Sequence, residues 1–230
     1  MKKIEEYYTI KIENTSNYGL IKENMTFYDD KRLLGEYLLN FKLEKIRCIS
    51  KNNVGISGIQ IFYKDRITSK TIIGIDTKNK INEDEEEQEI TLGSNEMINE
   101  VTVWKDEALR GFEVKTNKGR NKKFGWCDEG TKIELKDELK DGDNYVVGIF
   151  CGHHKKEGVL CIGFYNVDKK SFYLILNLGI FMLRIKSKKE EFRKKIDENF
   201  NKLNKSDKVL YKACCLPNNT FFEIFKYIFV

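Results

Sequence analysis

Two runs restrict this chain more than anything else in it: Leu109–Gly125 (LRGFEVKTNKGRNKKFG) and Tyr145–Val167 (YVVGIFCGHHKKEGVLCIGFYNV). Each alternates apolar and polar residues over a few positions, stops at glycine and starts again. That is the period of strands in an antiparallel sheet, and no helix accommodates it. Glycines at Gly111, Gly119, Gly125, Gly148, Gly152, Gly158 and Gly163 fall where such strands turn, bulge or meet another backbone. The same alternation returns in Leu43–Ser50 and Ser57–Tyr63, joined by Lys51-Asn52-Asn53, and again in Met97–Trp104 after the turn Gly93-Ser94-Asn95. Shorter strands are predicted at Tyr7–Glu13, Thr71–Asp76, Glu89–Leu92 and Thr131–Leu135. Leu33–Phe41 fits a strand or a short helix equally, whereas Lys78–Gln88 and Asp137–Asn144 read as loops.

Composition narrows the class. With 230 residues, 40% hydrophobic and 33% charged, the chain suits one soluble domain with an appendage. No apolar run approaches the ~20 residues of a membrane span, and the N-terminus lacks an apolar segment after its lysines, so a cytoplasmic protein is expected. Six cysteines occur without a CxxC pair, which points to reduced thiols, with Cys48, Cys151 and Cys161 buried in strands. His153 and His154 follow Cys151 closely, but neighbours on a strand face opposite ways, so neither a metal nor another cofactor is expected. The acidic run Glu83–Glu87 lacks the spacing and glycine of a calcium loop and reads as solvated.

The net charge of +5, from 41 basic and 36 acidic residues, is too balanced for a nucleic-acid partner. Basic hairpin ends at Lys118, Arg120, Lys122 and Lys123, and at Lys155 and Lys156, read as solvated turns, with an anionic partner as the minority reading. No GxSxG elbow, P-loop or GxGxxG is present, and the adjacent Asp128 and Glu129 sit on a turn, so no enzyme is expected.

Four ordered segments, IRCISKNNVGISGIQIFY (Ile46–Tyr63), EITLGSNEMINEVTVW (Glu89–Trp104) and the two runs above, resemble the jacalin-related lectin family. The resemblance implies an all-β prism of three antiparallel sheets about a pseudo-threefold axis. It also implies a sugar site made by backbone amides of an N-terminal glycine-rich loop and by a GxxxD loop before the last strand, whose aspartate accepts hydrogen bonds from sugar hydroxyls. Tyr18–Asp30 matches the first loop, with Phe27, Asp29 and Asp30 in place of its Phe-Asp-Asp stretch. There Gly19 stands alone, and Lys22, Glu23 and Asn24 fill the loop. Aligned on Cys161-Ile162-Gly163, the aspartate falls at Leu160 and the glycine at Lys156.

These departures lead to the expectation of a degraded sugar pocket. The chain is then a non-enzymatic module serving as a structural or protein-interaction component of a larger assembly. The alternative is a lectin for mannose- or galactose-type glycans, with contacts from Gly19, Gly152, His153, His154 and Glu157. The prism is expected over residues 1–186, with its core match at about 43–167 and one or two further strands in Ser171–Ile185. A helical extension follows over 187–230. Phe192, Ile196, Phe200 and Leu203 form one apolar stripe there, behind a Ser187/Glu190 capping box. Phe221, Phe222, Phe225 and Ile228 are the expected partner-docking residues.

Overall fold

In chain order the strands are β1 (Glu13–Asn14), β2 (Tyr18–Gly19) and β3 (Thr26–Asp29), followed by a short helix α1 (Asp30–Leu34). Then come β4 (Phe41–Lys51), β5 (Gly55–Asp65), β6 (Thr71–Asp76), β7 (Glu85–Thr91), β8 (Ile98–Lys105) and β9 (Leu109–Thr116). The last are β10 (Asn121–Gly125), β11 (Thr131–Glu134), β12 (Asn144–His154) and β13 (Gly158–Asp168). The structure, a computed structural model, describes residues 12–173 apart from 35–37, 39–40, 52–53, 67 and 79. Two units divide the chain, 11–173 and a second made of 1–10 with 174–230. The expected start of the Tyr7–Glu13 strand, most of Ser171–Ile185, and the helical extension with its docking residues Phe221, Phe222, Phe225 and Ile228 lie outside the described residues.

Period-two patterning pairs the long strands as hairpins, β4 with β5, β8 with β9 and β12 with β13. A third and fourth strand flank each hairpin. The sheets run β6-β5-β4-β7, β10-β9-β8-β11 and β1-β13-β12-β3, with β2 also on β13. The first two place the fourth strand beside the first, which is Greek-key order. The third reproduces that order with strands from the N-terminal end of the unit. Each hairpin also breaks register twice, once near its base and once near its tip. The tip breaks lie at Ile49/Ser50, Trp104/Lys105 and Gly152/His153. Since a bulge bends and twists a strand, three hairpins bent at matching points curl into one prism. This is the three-sheet, pseudo-threefold architecture that the resemblance implies.

The core lies where the three inner faces meet. Phe112 stacks on Phe124 within one sheet, with centroids 4.9 Å apart, and meets Phe164 of the next edge-on at 5.9 Å. Cys48, Cys127, Cys151 and Cys161 are free thiols, all buried. Among the described residues no helix is long and apolar enough to cross a membrane.

A carboxyl group sits fully inside. Asp30, at the start of α1, accepts the Ile75 N–H of β6 at 3.0 Å on one carboxylate oxygen. The other oxygen accepts the Ile149 N–H of β12 at 3.1 Å and the hydroxyl of Tyr63 on β5. Two of the three sheets are therefore tied through one carboxyl. Burial pushes that carboxyl up to about 7 from 3.8, outweighing the three donors. The sign follows from proton binding. Between about pH 4 and 7 the folded Asp30 keeps a proton that the unfolded chain has lost, so its contribution to stability falls as pH rises through that window. The fall is expected to reach at most about 4 kcal/mol. Urea midpoints of the wild type minus those of Asp30→Asn, taken across the window, isolate it; a flat difference counts against it.

Two local readings are corrected by the structure, and a third that the sequence leaves open is resolved. The acidic segment within Lys78–Gln88 is not all loop, because Glu85–Thr91 is the edge strand β7. Its partner β4 presents Lys45, Arg47 and Lys51 on the same face. Lys45 pairs with Glu89 at 3.1 Å, Arg47 with Glu87, and Lys51 with Asp84 just before the strand. Opposite charges across a ladder hold a strand that its own sequence does not announce. Residues 169–173 are helical and not part of a strand, with Phe172 buried against Tyr145 at 5.2 Å. Within Leu33–Phe41, α1 runs to Leu34 and β4 starts at Phe41, with Leu38 between them buried.

Candidate functional site

The tips of the β4–β5 and β12–β13 hairpins come together at one end of the prism. Gly158 makes the approach possible. Its φ is +87°, and a Cβ there would lie 2.5 Å from the Ile56 carbonyl oxygen and 2.8 Å from the Ser57 Cα. Any side chain would push the two tips apart. Between them and the β6–β7 connection opens a cleft of about 460 Å³. That is within the ~300–1,000 Å³ of small-molecule sites. Its walls include Ser57, Asn82, Asp84, Glu85, His153 and Glu157, together with Lys51, Lys78, Lys155 and Lys156.

The carboxylates in the walls are engaged. Glu85, whose side chain is only 4% exposed, accepts from the Lys78 ammonium and from the Asn82 N–H at 2.8 Å. Burial raises its carboxyl, but the hydrogen bonds from Lys78, the Asn82 N–H and Ser57 together hold it below the usual range. Asp84 pairs with Lys51. Glu157 accepts from Lys22 at 2.7 Å, which lowers its carboxyl, and has the His154 Nδ1 at 3.4 Å. Burial lowers the His153 pKa, against the opposing effect of its hydrogen bond to the Ser57 backbone, which engages one ring nitrogen and leaves the other for a ligand.

The five residues expected to touch a ligand separate into two groups. His153 and Glu157 line the cleft. His154 sits beside Glu157 and Lys22, away from the cleft lining. Gly19 and Gly152 are packing positions. A Cβ on Gly19 would lie 2.1 Å from the Leu160 carbonyl oxygen, and one on Gly152 would lie 2.4 Å from the Met25 Cε. Gly19 pairs with Cys161, and the next N–H, of Leu20, donates to Leu160 O at 3.1 Å. The N-terminal segment is thus seated on β13 beside Leu160, whose side chain is buried. Lys156 is exposed at the tip.

The sequence offers Ser57 only as part of the Lys51–Ser57 hairpin end, a second place for a sugar in a pseudo-threefold fold, and does not mark Asn82, Asp84 and Glu85 as site residues. The one signal pointing to the last two was the row of cations on the Leu43–Ser50 pattern, which asks for an acidic strand alongside. Among the described residues no group of three or more His, Cys, Asp or Glu side chains is placed to hold a metal ion. The cleft offers carboxylate acceptors, lysine and amide donors and a neutral imidazole. This is the mixture that a polyhydroxylated ligand, donor and acceptor at each hydroxyl, can satisfy.

Residues 22–165 match the jacalin-like lectin domain. Frutapin, a lectin from Artocarpus incisa, superposes with a TM-score of 0.52 at 18% identity, over 70% of this chain and 99% of its own. A mannose-binding lectin from champedak gives 0.51 at 18%, over 69% and 99%. Artocarpin in complex with methyl-α-mannose also gives 0.51 at 18%, over 68% and 98%. No curated protein matches the chain by sequence. Likeness at this identity shows a shared fold. Taken with the match along residues 22–165, which spans the three bulged hairpins, it means that the chain belongs to the jacalin-like lectin domain family.

Proposed function

We propose that the protein binds carbohydrate without catalysis, and that the cleft between the β4–β5 and β12–β13 tips is where a glycan sits. The observation that carries this reading is the cleft itself, in a jacalin-like fold, with hydroxyl-matching groups on its walls. Leu160 and Lys156 supply neither an aspartate acceptor nor a close-approach glycine, so the contacts fall to other groups. Glu157 and His153 take them from the β12–β13 tip, and Ser57, Asn82 and Glu85 from the opposite wall. A neighbouring fold, artocarpin, is seen with methyl-α-mannose, which makes mannose-type glycans the first to try, with galactose-type second.

A glycan array probed with the full chain is expected to show selective binding in the micromolar range. Glu157→Ala is then expected to weaken the best ligand by roughly tenfold or more, the worth of one charge-assisted hydrogen bond. No binding anywhere on the array overturns the reading and leaves the module as a protein-docking block. Binding that Glu157→Ala leaves untouched moves the contacts away from this cleft.

A further inference from the structure

The charges around the cleft do not cancel. Asp84, Glu85 and Glu157 face Lys51, Lys78, Lys155 and Lys156 across its walls, and Lys22 reaches Glu157 from outside. Each carboxylate has its own lysine: Lys51 on Asp84, Lys78 on Glu85 and Lys22 on Glu157. Lys155 and Lys156 remain. Both are exposed at the β12–β13 tip, both line the cleft, and neither forms an ion pair with any described residue. His153 is held neutral and offsets nothing. Five ammonium groups against three carboxylates leave two positive charges at the rim of a concave polar wall, where their fields add on an anion in the cleft.

We infer that the cleft prefers acidic saccharides, those carrying a carboxylate or a sulfate ester, with Lys155 and Lys156 as the specificity-determining groups. This rests on the glycan-binding reading. The three satisfied carboxylates accept from hydroxyls of the sugar ring, and the two unpaired ammonium groups at the rim meet its anionic substituent. Bridging their own carboxylates keeps Lys22, Lys51 and Lys78 from competing for that substituent.

The test uses the full chain and an array carrying neutral glycans beside their uronate and 6-sulfated counterparts. Titration of the best matched set follows. The acidic member is expected to bind about tenfold tighter than the neutral one at about 20 mM salt, and within about twofold at about 0.5 M, where screening is short-ranged. Lys155→Ala/Lys156→Ala is expected to erase that advantage, bringing the acidic member down to the affinity that the same variant shows for the neutral one. Lys118→Ala/Lys122→Ala, on a basic tip outside the cleft, is expected to keep it. The uronate and sulfate arms separate the two anionic groups, and preference for either one supports the inference. Equal binding of neutral and acidic members, or an advantage that survives the Lys155/Lys156 substitutions, overturns it while glycan binding stands. Failure of every member to bind overturns the glycan reading and this preference together.

Discussion

At about pH 5, where the buried carboxyl keeps its proton, Asp30→Ala is expected to remove about 3–5 kcal/mol from the stability of the prism. The substitution strands the N–H groups of Ile75 and Ile149 and the hydroxyl of Tyr63 in the interior. A buried donor left without an acceptor costs ~1–3 kcal/mol. Tyr63 is fully buried, so no solvent is at hand to replace the carboxyl. Against a typical total of about 5–15 kcal/mol, this is enough to unfold a substantial part of the population near body temperature. Urea unfolding is the measurement, read as a lowered midpoint at unchanged slope. A loss below about 1 kcal/mol is incompatible with Asp30 tying two sheets together.

Gly158→Ala is expected to damage stability and binding together. The alanine must hold a φ of +87° and place its Cβ against the Ile56 carbonyl and the Ser57 backbone. Left-handed backbone costs roughly 1–2 kcal/mol and overpacking against a fixed wall ~1–3 kcal/mol, so about 2–5 kcal/mol is expected in total. Relief comes only by moving the β12–β13 tip off the β4–β5 tip, which rebuilds the cleft. A weakening of the best glycan by about tenfold or more is the matching expectation. Gly119→Ala is the control, with a φ of +77° but open space around the added methyl. It pays the backbone cost alone and leaves binding unchanged. Equal effects of the two substitutions on glycan affinity argue against the close tip contact as the support of the cleft.

The hairpins were legible because alternation, or an apolar run broken by glycine, survives in them. Ser57–Tyr63 has apolar residues at alternate positions (Ile59, Ile61, Tyr63), whereas Val146–Phe150 and Val159–Tyr165 are nearly continuous apolar runs broken by Gly148 and Gly163, and the turns between the paired runs carry Asn or Gly. The threefold arrangement came from family resemblance, since period-two patterns do not say which sheet packs on which. The first half of β7 was illegible for a physical reason: Glu85–Gln88 has no apolar alternation, and the strand is held by cations on β4 that pair with it. Residues 171–173 misled because Phe172 is as apolar in a helical turn as in a strand.

The site was read in part. His153 and Glu157, expected from the last hairpin, line the cleft. Ser57, Asn82 and Glu85 reach the cleft from segments far away in sequence, and no local motif announces that. Asp30 was matched to a sugar-site loop, whereas its partners Tyr63 and Ile149 lie 33 and 119 positions away and make it a structural tie.

The third sheet, stitched from β1, β2 and β3 onto the last hairpin, has a consequence for the order of assembly. The other two sheets join neighbours along the chain and can form as soon as their four strands exist. The third waits for both ends: the hydroxyl of Thr15 accepts the Phe164 N–H across 149 positions. Bringing such distant ends together costs loop entropy before any ladder bond compensates it, and contacts of that span slow folding. On a ribosome the early strands emerge first and have no partners until the last hairpin follows. Two finished sheets with an open seam are then the natural resting stage, and sealing the seam between the first and last strands is the step that sets the pace.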